Sequence, residues 1–359
     1  MKTNAGGFSM NRRRFATSVF GSAIFCMSLA RAGYPQTFYE GKTITIIQGR
    51  GPGGTGDLRV KAVIPFLKKY LPGQATIVSE YMTGGGGTKA ANHIYRNAPR
   101  DGLTIGNVGG GLVPNAIFGE SGVLYEIDKL IFLGSTNGAQ HYVFYTHRAA
   151  ALNSLEKLRA AAQVRIGAPS VGGELYTMGR IFAYFLGLKD PRFVLGYNPA
   201  ELDLAIEQRE IDARAQTVAP LLRQKSHWIQ KGMLDFHAIV EIPKGLRHPK
   251  FGRLPELESF ANSNKERQLL TLFRNVRLFG TSYFLPPGVP EDRAKILQDA
   301  FTKAFRDPEF EKEFKKLTGE EAEALTVGEM KKALSEIPRD AEVISFFKKF
   351  AGPDPLPRR

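Results

Sequence analysis

The stretch Thr43–Lys61, TITIIQGRGPGGTGDLRVK, decides the fold. Thr43, Ile44, Thr45, Ile46 and Ile47 are all β-branched and suit a strand. Gly49, Gly51, Gly53, Gly54 and Gly56 then supply positions without a Cβ, and an apolar helical spacing begins at Leu58. A strand, a glycine turn and a helix start bring backbone N–H groups together at the positive end of a helix, which suits an anion. Gly84–Gly87, Gly109–Gly111 and Gly172-Gly173 each follow another predicted strand. That repetition predicts α/β sheets with one site rimmed by strand-end loops.

Two other readings of the same glycines stand beside this one. Gly49, Gly51 and Gly54 satisfy G-x-G-x-x-G, with Glu80 as the ribose-binding acid of a dinucleotide site. Pro52 sits inside that turn, and Glu80 lies beyond the usual offset of about 20 residues. The glycines also fit a purely structural turn.

Working outward, strands are predicted over 75–80, 103–105, 129–133, 141–145, 164–168, 193–195, 211–216, 233–240 and 276–284. Helical spacing falls between them, most clearly over 291–305, where Ile296, Leu297, Ala300, Phe301 and Ala304 form one apolar stripe. Pro65 weakens or kinks the helix expected over 58–70, or marks a turn. The block from 164 repeats the layout of the first block, as a second lobe would. The Pro-rich end, 351–359, reads as a disordered tail.

The chain of 359 residues has a formal charge of +14. Its start looks like an export signal over 1–32: a twin-arginine-like basic run at Arg12-Arg13-Arg14, a short apolar run from Val19, and Ala30-Arg31-Ala32 as an A-x-A cleavage site. Cleavage after Ala32 would remove five basic residues and no acidic ones, leaving +9. It would also remove Cys26, the one cysteine. An exported protein without thiols tolerates an oxidising compartment and does not depend on it. The remaining basic residues are mixed with acids, and no nucleic-acid motif is present.

At this point the motifs resemble a family. QGRGPGGTGDLRVKAV is similar to the first binding loop of the solute-binding receptors of tripartite tricarboxylate transporters. SEYMTGGGGTKAANHIYRNAPRDGLTI resembles that family's second glycine loop, helix and Pro-x-Asp-Gly turn. YNPAELDLAIEQREIDARAQT, LPELESF and LPPGVPEDRAKILQDAFTKAFRDPEF resemble later segments in the same order, so the resemblance is collinear from about Tyr34 to about Leu317. It implies a two-lobed periplasmic binding protein of the Venus flytrap type, each lobe a mixed sheet flanked by helices, joined by crossing strands. Lobe 1 would be 42–141 with 242–350, and lobe 2 would be 142–241. The implied role is a monomeric receptor that delivers a small organic carboxylate or polar solute to membrane permease subunits of a tripartite transporter. It would not be an enzyme, and it would need no cofactor or metal. The chain departs from the family at Glu174 and Tyr176, which replace small and histidine-type residues, at Tyr197-Asn198, where a lysine is missing, and at Arg50, where an apolar residue is common.

The expected ligand contacts are Gly53, Gly54, Thr55 and Asp57 in the first loop, and Gly85, Gly86, Gly87 and Thr88 in the second. Asn107, Gly109 and Gly110 belong to the third loop. Ser170, Val171 and Gly172 would face them from the other lobe, with Gln216 and Thr217 at a strand end. Asp57 equally fits a helix cap. Arg50 and Arg214 are candidate cations for a carboxylate, and Asp57, Glu174 and Asp212 are candidate counter-charges for an amine. The six histidines show no metal spacing, and Ser170 lacks the nucleophile-elbow context. The enzyme alternative is an exported oxidoreductase with a dinucleotide at the Gly49–Gly54 loop.

Overall fold

The computed structural model describes residues 38–138 and 140–359. The expected leader over 1–32, its cleavage after Ala32 and Cys26 lie outside the described residues. The strands, in chain order, are β1 (Thr43–Gln48), β2 (Thr76–Tyr81), β3 (Thr104–Gly109), β4 (Ile131–Ser135), β5 (Tyr142–His147), β6 (Arg165–Gly167), β7 (Arg192–Val194), β8 (Ala213–Thr217), β9 (Leu234–Val240), β10 (Thr281–Leu285) and β11 (Leu325–Thr326). They form two mixed sheets, ordered β11-β4-β10-β3-β1-β2 and β7-β6-β8-β5-β9. In the first sheet β1 lies parallel between β2 and β3, and β10 runs antiparallel between β3 and β4. In the second, β6 is parallel to β7 and β8, and β5 is antiparallel to β8 and β9. The architecture is a bilobed α/β fold of the periplasmic binding-protein type.

Helices flank the sheets: α1 (Thr55–Tyr70), α2 (Thr88–Asn97), α3 (Leu112–Ile117), α4 (Leu155–Ala160), α5 (Glu174–Leu186), α6 (Pro199–Glu207) and α7 (Val218–Gln224) in the first two thirds. There follow α8 (Ser226–Gln230), α9 (Asn264–Arg277), α10 (Glu291–Phe305), α11 (Pro308–Thr318), α12 (Val327–Ser335) and α13 (Ala341–Ala351). The apolar spacing read from sequence explains the first core. Val60, Val63 and Leu67 of α1 meet Ile44 and Ile46 of β1, with Leu297 and Phe301 of α10 in the same cluster. Pro65 stays inside α1 and does not end it. Burying this face outweighs the lost hydrogen bond.

The chain passes from the first sheet to the second between β4 and β5, and returns between β9 and β10. Three expectations need correction. The strand expected over 276–284 starts at Thr281, because α9 continues to Arg277 and keeps Val276 buried on its apolar stripe. Residues 242–350 do not all go with the first sheet: α9 and α13 pack together and α13 packs on α5, joining Phe182, Phe273 and Phe347 in one core. The tail is not disordered. Tyr176 donates to the Gly352 carbonyl at 3.0 Å, and the buried Arg180 guanidinium donates to the Lys349 carbonyl at 3.2 Å and the Asp354 carbonyl at 2.5 Å. A buried guanidinium needs acceptors, and the end of the chain supplies them.

Candidate functional site

The first glycine loop holds itself in shape. Asp57, fully buried, accepts from the Gly53 N–H at 2.9 Å, from Gln48 Nε2 at 2.9 Å, from the Tyr81 hydroxyl at 2.9 Å and from Lys61 Nζ at 2.8 Å. Burial pushes its carboxyl upward, but the bonds from Lys61, Gly53, Gln48 and Tyr81 outweigh burial and hold it well below the usual range. Asp57 therefore has no free acceptor for a ligand; it lies within the first turn of α1, whose N-cap, Gly54, has no side-chain cap bond, and it holds the loop through the Gly53 N–H. Glycine is required where this loop meets the second one. A Cβ on Gly49 would stand 2.9 Å from Gly87 Cα, and one on Gly87, at φ +99, would stand 2.6 Å from Val108 Cγ1. A Cβ on Gly53, Gly54 or Gly86 meets nothing within 4 Å, so only the left-handed backbone of Gly53 (φ +83) and Gly86 (φ +61) favours glycine there, and Gly54 carries no constraint.

The expected loops do not line a single cavity. Gly85 and Thr88 border an open hollow with Lys89, Asn92 and Asn115. Thr55, Ser170, Val171 and Gly172 are exposed, and a Cβ on Gly172 would lie 3.7 Å from the Ala351 carbonyl. Asn107 is fully buried and donates to the Ser282 carbonyl at 3.3 Å, so it ties β3 to β10. Gln216 is buried and accepts from the Tyr145 hydroxyl at 2.7 Å. Arg214 is fully buried and pairs with Asp203 of α6 at 2.6 Å, which removes it as a ligand cation. Asp212 is held by Arg165 at 2.6 Å, which removes it as a counter-charge for an amine.

What does converge is a set of charged groups between the two sheets. A cavity of about 200 Å³ is lined by Gly110, Asn137, Gln140 and Gly280, by Arg59 of α1, by Glu174 at the start of α5, and by Val276 and Arg277 at the end of α9. Glu174 accepts from the Tyr142 hydroxyl and from Arg277 Nη1, the latter at 2.7 Å. Arg59 pairs with Glu320 at 2.7 Å and donates to Thr281 Oγ1 at 3.1 Å. Gly280 is close-packed for a reason, because a Cβ there would stand 2.1 Å from the Asn137 carbonyl oxygen. Arg50 lies along the start of α1, with Nη1 donating to the Gly56 carbonyl at 3.0 Å and Nη2 3.8 Å from the Cβ position of Gly109.

Two neighbouring hollows continue the cleft. One, of about 50 Å³, includes Gln140, His141, Thr217, His248 and Glu323. The other, of about 420 Å³, adds Arg223, Lys315, Glu320 and Glu321, and Arg223 donates across it to the Gly319 carbonyl at 2.6 Å. Burial raises the Glu323 carboxyl to about 8, with Glu320 adding to the rise and Arg59 opposing it. Of the residues singled out from sequence, Gly110, Glu174 and Thr217 line these spaces, and Gly109 and Arg50 border them. Arg59, Asn137, Gln140, Arg277 and Gly280 were missed. No glycine motif surrounds them, and three of them come from the segment between β4 and β5 and from a helix end, which local pattern cannot place beside α1.

The dinucleotide reading of Gly49–Gly54 loses support. The Gly53 N–H, an amide that a pyrophosphate at this turn would need, is already taken by the Asp57 carboxylate. The strand order with β1 between β2 and β3, followed by antiparallel β10, is not the dinucleotide-fold order. Among the described residues, no group of His, Cys, Asp and Glu is placed to hold a metal ion.

No family model matches the chain, and no curated protein matches it. Solved structures do. A TctC solute-binding protein from Polaromonas, without ligand, aligns at TM-score 0.65 and 17% identity, over 87% of this chain and 98% of that one. MatC from Rhodopseudomonas palustris with bound malate aligns at TM-score 0.52 and 18% identity, over 84% and 99%. An R. palustris protein with adipate aligns at TM-score 0.51 and 15% identity, over 86% and 97%. The fold of this chain resembles that of periplasmic solute-binding proteins at low sequence identity.

Proposed function

We propose that this chain is an extracytoplasmic solute receptor that binds a small organic carboxylate between its two lobes and hands it to membrane permease subunits of a tripartite transporter. The observation that carries the reading is the interlobe cavity where Arg59 and Arg277 meet Gly110, Asn137 and Gly280, with Arg50 beside it. Guanidinium groups and free backbone amides at strand and helix ends are the donors a carboxylate needs. The exposed first loop, at Gly53, Gly54 and Thr55, and the Ser170–Gly172 loop form the rim in this reading. Malate and adipate, both dicarboxylates, are bound by proteins of the same fold, which supports a carboxylate ligand and not a particular number of charges. Export through the leader, with cleavage after Ala32, and a periplasmic site of action belong to the same reading. Among the described residues no helix is long and apolar enough to cross a membrane.

Titration calorimetry of the purified chain against aliphatic and aromatic mono-, di- and tricarboxylates, amino acids and NAD tests it. Saturable binding of a carboxylate, lost on mutation of the cleft arginines, is the expected result. Tight NAD binding with no carboxylate binding would replace the receptor by the oxidoreductase alternative.

A further inference from the structure

We infer that the cleft selects a ligand carrying one negative charge, and that Arg50 is the residue that sets this number. The inference rests on the receptor reading and adds the charge class of the ligand. Three guanidinium groups face or border the inner cleft, and two of them are matched by carboxylates of the protein itself: Arg59 by Glu320 at 2.7 Å and Arg277 by Glu174 at 2.7 Å. Arg50 has no carboxylate partner among the described residues; its bond is to the Gly56 carbonyl. The segment 1–37 holds no Asp or Glu that would serve instead. The nearest acid in sequence, Asp57, already accepts from four donors.

Two buried hydroxyls near this cation add to the case. Thr136 Oγ1 and the Tyr283 hydroxyl are fully buried and face each other, with no other partner among the described residues. The Tyr283 hydroxyl feels the charges of Arg50 and Arg59. A half-buried cation without a counter-charge, beside hydroxyls that have only each other, is unfavourable until an anion arrives. One carboxylate balances the site. A second would find no free cation in the inner cleft and would stand against Glu174 and Glu320, both already committed. Glu323, raised by burial to about 8, stays neutral at pH 7 and leaves the count unchanged.

The test uses matched pairs that differ by one carboxylate: hexanoate with adipate, butyrate with succinate, and benzoate with terephthalate, measured by calorimetry at pH 7, with sodium chloride and sodium nitrate as inorganic arms. The monocarboxylate of at least one pair is expected to bind about tenfold or more tighter than its twin. Arg50→Gln should lose about tenfold for that monocarboxylate, and Arg50→Lys should retain most of its affinity. Glu174→Gln adds one unmatched positive charge and should move the preference toward the dicarboxylate. Dicarboxylates that bind the wild-type chain as tightly as their twins, or a folded Arg50→Gln that binds like wild type, would overturn the inference and leave the receptor intact. Binding of nitrate or chloride alone would uphold the charge count and overturn the organic ligand. No binding of any anion would sink both.

Discussion

Arginines in two regions of this molecule do different work. Arg214 in the second lobe and Arg274 on α9 have almost no exposed side-chain surface, and each meets its acids at short range: Arg214 with Asp203 at 2.6 Å, Arg274 with Glu256 and Glu258 at 2.5 Å each. Arg274 also donates to the Glu241 carbonyl at 3.2 Å. In the cleft, Arg277 keeps 27% of its side-chain surface and Arg59 keeps 18%, and each has a single acid. Arg50 has none. The buried set balances its charge within the fold, so its cost and benefit belong to folding. The cleft set is left partly wet and, at Arg50, unbalanced, which is the condition for responding to a solute.

The strongest way to break this comparison is to unbalance the buried set. Asp203→Ala leaves Arg214 buried without its partner, and removal of one member of such a pair costs about 3–5 kcal/mol. Urea unfolding should show a loss of that size. A loss below about 1 kcal/mol would mean that Arg214 finds another partner and that burial does not separate the two sets.

The cleft set should behave the other way. Arg277→Ala removes a half-exposed pair, worth about 0–1 kcal/mol to stability. It also leaves Glu174 without its counter-charge in the cavity, so anion affinity should fall by tenfold or more, about 1.4 kcal/mol. Calorimetry and thermal unfolding on the same sample give both numbers. An equal drop in stability and affinity would make Arg277 a structural residue.

This division also marks what sequence pattern can and cannot show. Local repeats carry the lobes: the β-branched run Thr43–Ile47, the stripe at Leu297, Ala300 and Phe301, and the second block from Val164 each announce one strand or helix with its neighbour. The glycines announced turns correctly, but Gly49, Gly87 and Gly280 are required by close packing, and packing leaves the same signature as ligand approach. Of the cleft charges Glu174 was singled out from sequence, but Arg59 and Arg277 were hidden because they come from separate places in the chain. Nothing in a 3.6-residue or 2-residue period links them. Arg214 was misread for the same reason: its partner Asp203 is on α6, and the alternation of β8 alone does not reveal which face is closed.

Glu323 allows a finer test, because it is an acid of the cleft with a cost of the buried kind. Its folded value, about 8, lies above the ordinary carboxyl range, so the folded chain holds its proton longer than the unfolded chain does. Stability from this group is full below about pH 4.5 and is lost as pH rises through about 8. Glu320, Glu321 and Arg59 act on it directly, and His141, His248, Lys315 and Arg223 share its hollows. Those groups are present in both chains, so the difference between wild type and Glu323→Gln isolates the one carboxyl. The difference should grow in favour of the glutamine variant between pH 5 and 8, by at most about 1.4 kcal/mol per pH unit. Parallel stability curves would mean that Glu323 ionises freely.

The smallest expected effect addresses the rim. Gly54 is the N-cap of α1 at φ −81 and ψ 169, with no side-chain cap, and a Cβ there meets nothing within 4 Å. Any residue adopts that backbone, and serine at an N-cap accepts from an N–H of the first turn. Gly54→Ser should therefore raise stability by a few tenths of a kcal/mol, about 0.3 kcal/mol. If the loop lines the ligand, the same side chain stands in its path and carboxylate affinity falls, so the two readouts move in opposite directions. A gain in stability with unchanged affinity would confine the first glycine loop to structure and leave recognition to the arginines.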